Sequence, residues 1–207
     1  MYNAMASSLA EGSKGTTRLH MDMADALNIM TYASPCPDGS FGCAAWDLFR
    51  AEDSEKLRSF LRKRIPGIGI QDPIHSQQIY LDEVLKKELW ETQGVKSYRI
   101  YQRPGEAIFI PAGCAHQVRE QANQKRHLDL IAFQVANLAD CVKVAIDFVS
   151  PENVARCEQL TQEFREQNQG LKWKEDVLQL KTMMWFAWLS CTHEEEERKR
   201  KEEDRAD

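Results

Sequence analysis

The run Thr16-Thr17-Arg18-Leu19-His20-Met21-Asp22 carries a His-x-Asp pair inside a stretch that reads as a β-strand. Alternate side chains of a strand leave the same face, so His20 and Asp22 are expected to point one way. One imidazole and one carboxylate, joined by a second imidazole from elsewhere, make a 2-His-1-carboxylate set. Such a set holds a non-haem ferrous ion and leaves coordination positions open for a cosubstrate and oxygen. The expected third ligand is His116, which follows the turns at Pro104-Gly105 and Pro111-Ala112-Gly113. A rigid turn there suits presenting an imidazole into a barrel mouth. A lone His-x-Asp recurs by chance on exposed strands; the pair combined with the Ile-Pro-Ala-Gly…His run is far more specific. A second pair, His127 and Asp129, has only His193 downstream, in a charge-dense tail. His75, beside Pro73, reads as a capping residue rather than a ligand.

The totals fit one domain with a real core and a helical appendage. The chain has 207 residues, of which 43% are hydrophobic and 29% charged. Its formal charge of −5 offers no basic face for direct nucleic-acid binding. The longest apolar run, Met183–Leu189, falls far short of the roughly 20 residues a membrane span needs. The start of the chain lacks the basic and apolar regions of a secretory signal. Cysteines 36, 43, 114, 141, 157 and 191 form no Cys-x-x-Cys pair and read as reduced thiols of an intracellular protein.

The elements that must position the three ligands are short strands. Thr16–Met23, Ala26–Ala33, Ala44–Arg50, Tyr98–Gln102, Ala107–Ile110, His116–Val118 and Val142–Val149 are expected strands, the second buried on both faces. Strands this short, separated by Pro-Gly and Ala-Gly turns, predict a mainly β barrel or jelly roll with helical additions. A helix is expected from Asp53 or Ser54 to Arg64 and another over Ile79–Gln93, stopped by Gly94. Ser150 with Pro151 opens a third, running to about Gln167, and Asp176–Leu189 is the last. From Glu194 the tail reads as a frayed, solvated helix or a disordered end. Trp46, Trp90 and Trp185 are expected in the core.

These motifs resemble the JmjC family of Fe(II)/2-oxoglutarate oxygenases. Within that family they resemble the subfamily that demethylates lysine nine of the third core histone, whose hairless-type relatives share the layout. The resemblance rests on Met1-Tyr2-Asn3-Ala4, Gly15–Met30, Asp72-Pro73-Ile74-His75, Gly105–Val118 and Asp147–Glu152, all in the family's order. It implies a double-stranded β-helix over residues 1–190, incomplete at the N-terminus, followed by a charged tail at 191–207. In the family His-Gln-Val runs almost directly into Asn-Leu-x-x-Cys, whereas here Val118–Gln134 intervenes. That segment is expected to be an insertion or an unexcised intron, since it begins Val-Arg and ends Phe-Gln as in-frame splice signals would.

The resemblance further implies a catalytic set of His20, Asp22 and His116 holding Fe(II), with 2-oxoglutarate as cosubstrate and molecular oxygen as oxidant. The far carboxylate of 2-oxoglutarate needs a hydroxyl and a cation. Thr17, three residues before His20, and Lys143, ten residues after His116 once the 17-residue segment is set aside, occupy the family's positions for them. A strand lysine that snorkels to solvent is the other reading of Lys143. Asn28 either orients the cosubstrate or is a buried structural amide. Tyr2 matches a tyrosine near the methylated ammonium. The implied function is histone lysine demethylation by N-methyl hydroxylation and formaldehyde release, in the nucleus, with a methylated histone tail and chromatin-associated proteins as partners. A protein hydroxylase of the same fold and a catalytically inactive chromatin-interaction module are the alternatives.

Overall fold

The computed structural model describes residues 2–4, 17–35, 42–64, 72–122, 140–167 and 178–205. It divides into two compact units, Met1–Leu160 and Thr161–Asp207. The first holds strands β1 (Tyr2–Ala4), β2 (Thr17–His20), β3 (Asp25–Ala33), β4 (Gly42–Leu48), β5 (Tyr98–Gln102), β6 (Ala107–Ile110), β7 (His116–Ala122) and β8 (Cys141–Phe148). They pair antiparallel throughout, in two four-stranded sheets of order β1-β8-β3-β6 and β2-β7-β4-β5. Successive strands mostly alternate between the sheets, which is the jelly-roll arrangement expected from the turn spacing.

The core lies between the sheets. Ala26, Met30, Ile108, Ile110 and Cys141 come from the first sheet, and Ala44, Trp46 and Val118 from the second. Trp46 is in that core as expected. β4, the most thoroughly buried strand, sits between β5 and β7. β3 differs from its expected two-faced burial: Thr31, at a bulge between Met30 and Tyr32 in the pairing with β8, and Tyr32 after it are both exposed. β7 runs four residues past the expected Val118, because β4 supplies ladder partners out to Ala122. The segment expected as an insertion therefore begins inside β7, and 123–134 lies outside the described residues.

α1 (Ser54–Arg64) buries the expected stripe of Leu57, Phe60 and Leu61 after a 3-10 turn at Ala51–Asp53. α2 (Glu83–Gln93) starts later than the expected Ile79, because the Asp82 side chain accepts from the Leu85 amide and caps the helix there. Ile79 and Leu81 are buried all the same, in extended chain whose backbone binds Leu19 and the Gln117 side chain. Gly94 ends α2 in the left-handed region, as expected. Trp90 is 54% exposed rather than core; the buried stripe of α2 is centred on Lys86 and Leu89 and leaves it at the margin. A 3-10 turn at Pro151–Asn153 opens α3 (Val154–Gln167).

In the second unit, α4 (Leu180–Glu203) continues well past the expected Leu189 through the charged tail. Glu195–Lys199, Glu197–Lys201 and Arg198–Glu202 pairs, each one helical turn apart, support that extension. Trp185, expected in the core, is 57% exposed and packs on Trp188 with centroids 5.2 Å apart. Apolar residues at 183–189 surround the helix rather than forming one stripe, so they cannot all be buried. Among the described residues, no helix is long and apolar enough to cross a membrane.

Candidate metal centre

His20 closes β2 and His116 opens β7, directly across the ladder. Asp22 is not on the strand as expected; it lies in the turn just beyond β2. Its carboxylate still reaches both rings, Oδ1 at 3.8 Å from His20 Nε2 and Oδ2 at 3.6 Å from His116 Nε2. The ligand atoms of the three residues all lie within 4.8 Å of one another. His127 and Asp129 fall outside the described residues.

Backbone carbonyls decide which nitrogens face the centre. The Nδ1–H of His20 donates to Arg18 O at 2.8 Å, and that of His116 to Cys114 O at 3.0 Å. A carbonyl can only accept, so in each neutral ring Nδ1 keeps the proton and Nε2 presents its lone pair to the shared space. His116 is buried, and burial first, then the neighbouring His20, lower its pKa from the ordinary 6.5 to about 4. An imidazole that resists protonation is what a cation requires of its ligand. Two imidazole nitrogens and one carboxylate fit a divalent transition metal such as Fe(II), with the remaining positions open.

The turn before His116 is held from several sides. Gly113 has φ +78°, and Cys114 N–H donates to Pro111 O at 3.1 Å, as in a type II turn. Buried Asp25 accepts from Ala112 N–H, Ser150 N–H and Asn153 Nδ2, tying the turn to the start of the third helical segment. Burial alone would raise the Asp25 carboxyl; the Ser150 and Ala112 amides outweigh it and hold it below the usual range.

Thr17 is placed by a defect in the ladder. Residues three apart in a regular strand face opposite ways. Between Thr17 and His20 the β2–β7 register shifts, with Thr17 opposite Val118 and His20 opposite His116, so three residues span two. Thr17 and His20 thereby share the face of Val118 and His116. On the opposite sheet Lys143, 4% exposed, pairs with Met30 and with Tyr2. Its Nζ stands 5.1 Å from the centroid of the Trp46 ring. It is thus a buried lysine and not one that snorkels. Buried Asn28 takes Gln102 Nε2 on its backbone oxygen at 2.9 Å. For Tyr2 the described feature is the backbone pairing with Lys143.

Three features lay beyond the sequence reading. Trp46 stacks against His116, centroids 5.9 Å apart and rings tilted by 29°. Asp147 lies close enough to Asp22 that burial, and then the Asp22 charge, raise its pKa. Behind the site, buried Asp47 accepts from Lys86, Arg99 and Gln117. An aspartate beside a tryptophan in the otherwise apolar Cys43–Leu48 run was the available signal for that network. His75 does not cap; Asp72 does, accepting from the Ile74 and His75 amides, while His75 faces Arg58.

Residues 12–123 match the family model described as "JmjC domain, hydroxylase". The chain is 36% identical to "Lysine-specific demethylase 3" of Drosophila melanogaster, over 92% of this chain and 24% of that protein. It is 37% identical to human "Lysine-specific demethylase 3A", over 90% of this chain and 15% of the relative. It is 41% identical to "Lysine-specific demethylase JMJ29" of Arabidopsis thaliana, over 67% of this chain and 15% of that one. The chain thus spans less than a quarter of the length of these curated relatives. A facing pair of antiparallel sheets, a two-imidazole, one-carboxylate centre at their edge and a family match covering more than half the residues agree: this chain belongs to the JmjC family.

Proposed function

We propose that this chain carries the catalytic core of an Fe(II)- and 2-oxoglutarate-dependent lysine demethylase acting on a methylated histone tail in the nucleus. The observation that carries the reading is the pair of Nε2 lone pairs and the Asp22 carboxylate meeting in one space, with both Nδ1 protons engaged elsewhere. His20, Asp22 and His116 would hold the iron. Thr17 and Lys143 receive the far carboxylate of 2-oxoglutarate, one as hydroxyl and the other as cation, while Asn28 orients the cosubstrate and Tyr2 faces the methylated ammonium. Bound iron supplies oxidation of a C–H bond to C–OH, coupled to conversion of 2-oxoglutarate and oxygen to succinate and carbon dioxide.

The chain's part is binding, orientation and exclusion of water. Once the N-methyl carbon is hydroxylated, the N–C bond breaks, the hydroxyl proton passes to nitrogen and formaldehyde leaves. No protein nucleophile is needed.

The test is anaerobic loading of the full chain with Fe(II), then oxygen, 2-oxoglutarate and a methylated histone peptide. Succinate and formaldehyde in equal amounts, both absent in His20→Ala, are the expected products. Succinate with an oxidised peptide and no formaldehyde would replace demethylation by protein hydroxylation. No succinate under any peptide would leave a non-catalytic chromatin-binding module.

A further inference from the structure

We propose that Trp46 is a positioning residue that fixes the Lys143 ammonium relative to the His116 imidazole, and so sets the span available to 2-oxoglutarate. The proposal rests on the reading above, in which His116 ligates the metal and Lys143 receives the far carboxylate. A cosubstrate chelated at one end and ion-paired at the other works as a ruler. It binds well only when the cation stands at the right distance from the metal.

Trp46 lies between those two groups. Its indole stacks on His116 at 5.9 Å, and Lys143 Nζ stands 5.1 Å from the same ring centroid. His116 and Trp46 belong to neighbouring strands of one sheet, whereas Lys143 comes from the other sheet. One aromatic ring therefore touches both walls of the barrel at the groups that would hold the two ends of the cosubstrate. An ammonium near a buried ring is attracted by the ring's quadrupole, more strongly where water is absent.

The indole is itself fixed. Its Nε1–H donates to Gln102 Oε1 at 2.9 Å, and Gln102 is fully buried. Gln102 Nε2 donates onward to Asn28 O at 2.9 Å and to Glu106 O at 3.1 Å. With an indole N–H on one side and two carbonyls on the other, the amide has only one orientation that satisfies all partners. Gln102 thus ties the second sheet to β3 of the first and holds the tryptophan plane while doing so.

Trp46→Leu, Trp46→Phe and Lys143→Met separate the possibilities, using the full chain loaded with Co(II). Binding of 2-oxoglutarate is read by calorimetry, and the KM values for 2-oxoglutarate and peptide by turnover of the Fe(II) form. Trp46→Leu is expected to weaken 2-oxoglutarate roughly thirtyfold in both readouts, the size of a desolvated cation–π contact, with peptide KM unchanged. Trp46→Phe, which restores an aromatic face, should recover most of that loss. Co(II) alone should quench part of the tryptophan emission of the parent chain, and that part should vanish in Trp46→Phe. Unchanged 2-oxoglutarate binding in Trp46→Leu, an equal rise in both KM values, or full quenching in Trp46→Phe would each overturn the proposal.

Lys143→Met tells the two levels apart. If it leaves 2-oxoglutarate binding untouched, the assignment of Lys143 fails and the proposal falls with it. If it weakens binding while Trp46→Leu does not, only the role of Trp46 is lost. Should Trp46→Leu not fold, protein made with 5-fluorotryptophan keeps the ring's shape and weakens its quadrupole. A severalfold loss of 2-oxoglutarate affinity is then expected, and no loss overturns the proposal.

Discussion

His20 and His116 are register partners across the β2–β7 ladder, their ring centroids 4.1 Å apart. Two of the three candidate ligands thus occupy one rung of one sheet, and Asp22 joins them from the turn that follows β2. A metal bound there clips two strands and a turn together. Binding to the folded state alone stabilises it by about 2.7 kcal/mol at a hundredfold excess over Kd. Co(II) or Fe(II) should therefore raise the melting temperature of the parent chain by several degrees. His20→Ala and Asp22→Ala should abolish that rise, and equal rises in the variants would remove the centre as a metal site.

The low pKa of His116 gives the metal-free protein a pH signature. The folded imidazole titrates at about 4 against an ordinary value of 6.5. As pH falls below 6.5 the unfolded chain takes up a proton that the folded chain refuses, so stability is full above 6.5 and drains away toward 4. A shift of this size corresponds to roughly 3 kcal/mol. Urea melts of the metal-free chain across that window should show the loss, and His116→Gln should flatten it.

How much of this was legible beforehand depends on the distance over which each feature is decided. The His20-x-Asp22 spacing, the Gly113 turn and the α1 stripe are local patterns, and each can be read from period and turn chemistry. The arrival of Thr17 beside His20 depends on a bulge, which is fixed by the partner strand and not by the Thr-x-x-His spacing. Trp90 looked like core because it continues an apolar period, but Lys86 occupies the buried stripe, drawn in by Asp47. The Trp46–Lys143 contact joins residues 97 positions apart in different sheets, and no single-strand pattern encodes it.

Asp47 anchors the outer face of the second sheet to α2. Burial would raise its carboxyl, but Arg99 and then Lys86 outweigh that and hold it below the usual range. Its contribution is present above the ordinary value of 3.8 and is lost as pH falls through the lower folded value. Asp47→Asn leaves the buried Lys86 ammonium paired with the exposed Glu83 carboxylate alone and should cost about 2 kcal/mol at neutral pH. The gap to the parent should close in acid. An Asn variant equally less stable at every pH would show that shape and not charge is what the network supplies.

Gly113 joins turn chemistry to the metal centre. Its φ of +78° lies in the left-handed region, three residues before His116, and its N–H points at Asp22 O at 3.4 Å. A Cβ added there would meet Arg156 Cδ at 3.1 Å, a flexible side chain that can yield. The larger cost is conformational, about 1–2 kcal/mol for an L-residue held in that region. Gly113→Ala should therefore lower stability by about that amount in a denaturant melt. If the turn also aims His116, the variant should bind Co(II) more weakly than its stability loss alone explains. Gly94→Ala is the control: φ +66° with nothing within 4 Å of the added Cβ, at the end of α2. It should show a similar loss of stability with metal affinity unchanged, and matched affinities in the two variants would sever the turn from the site.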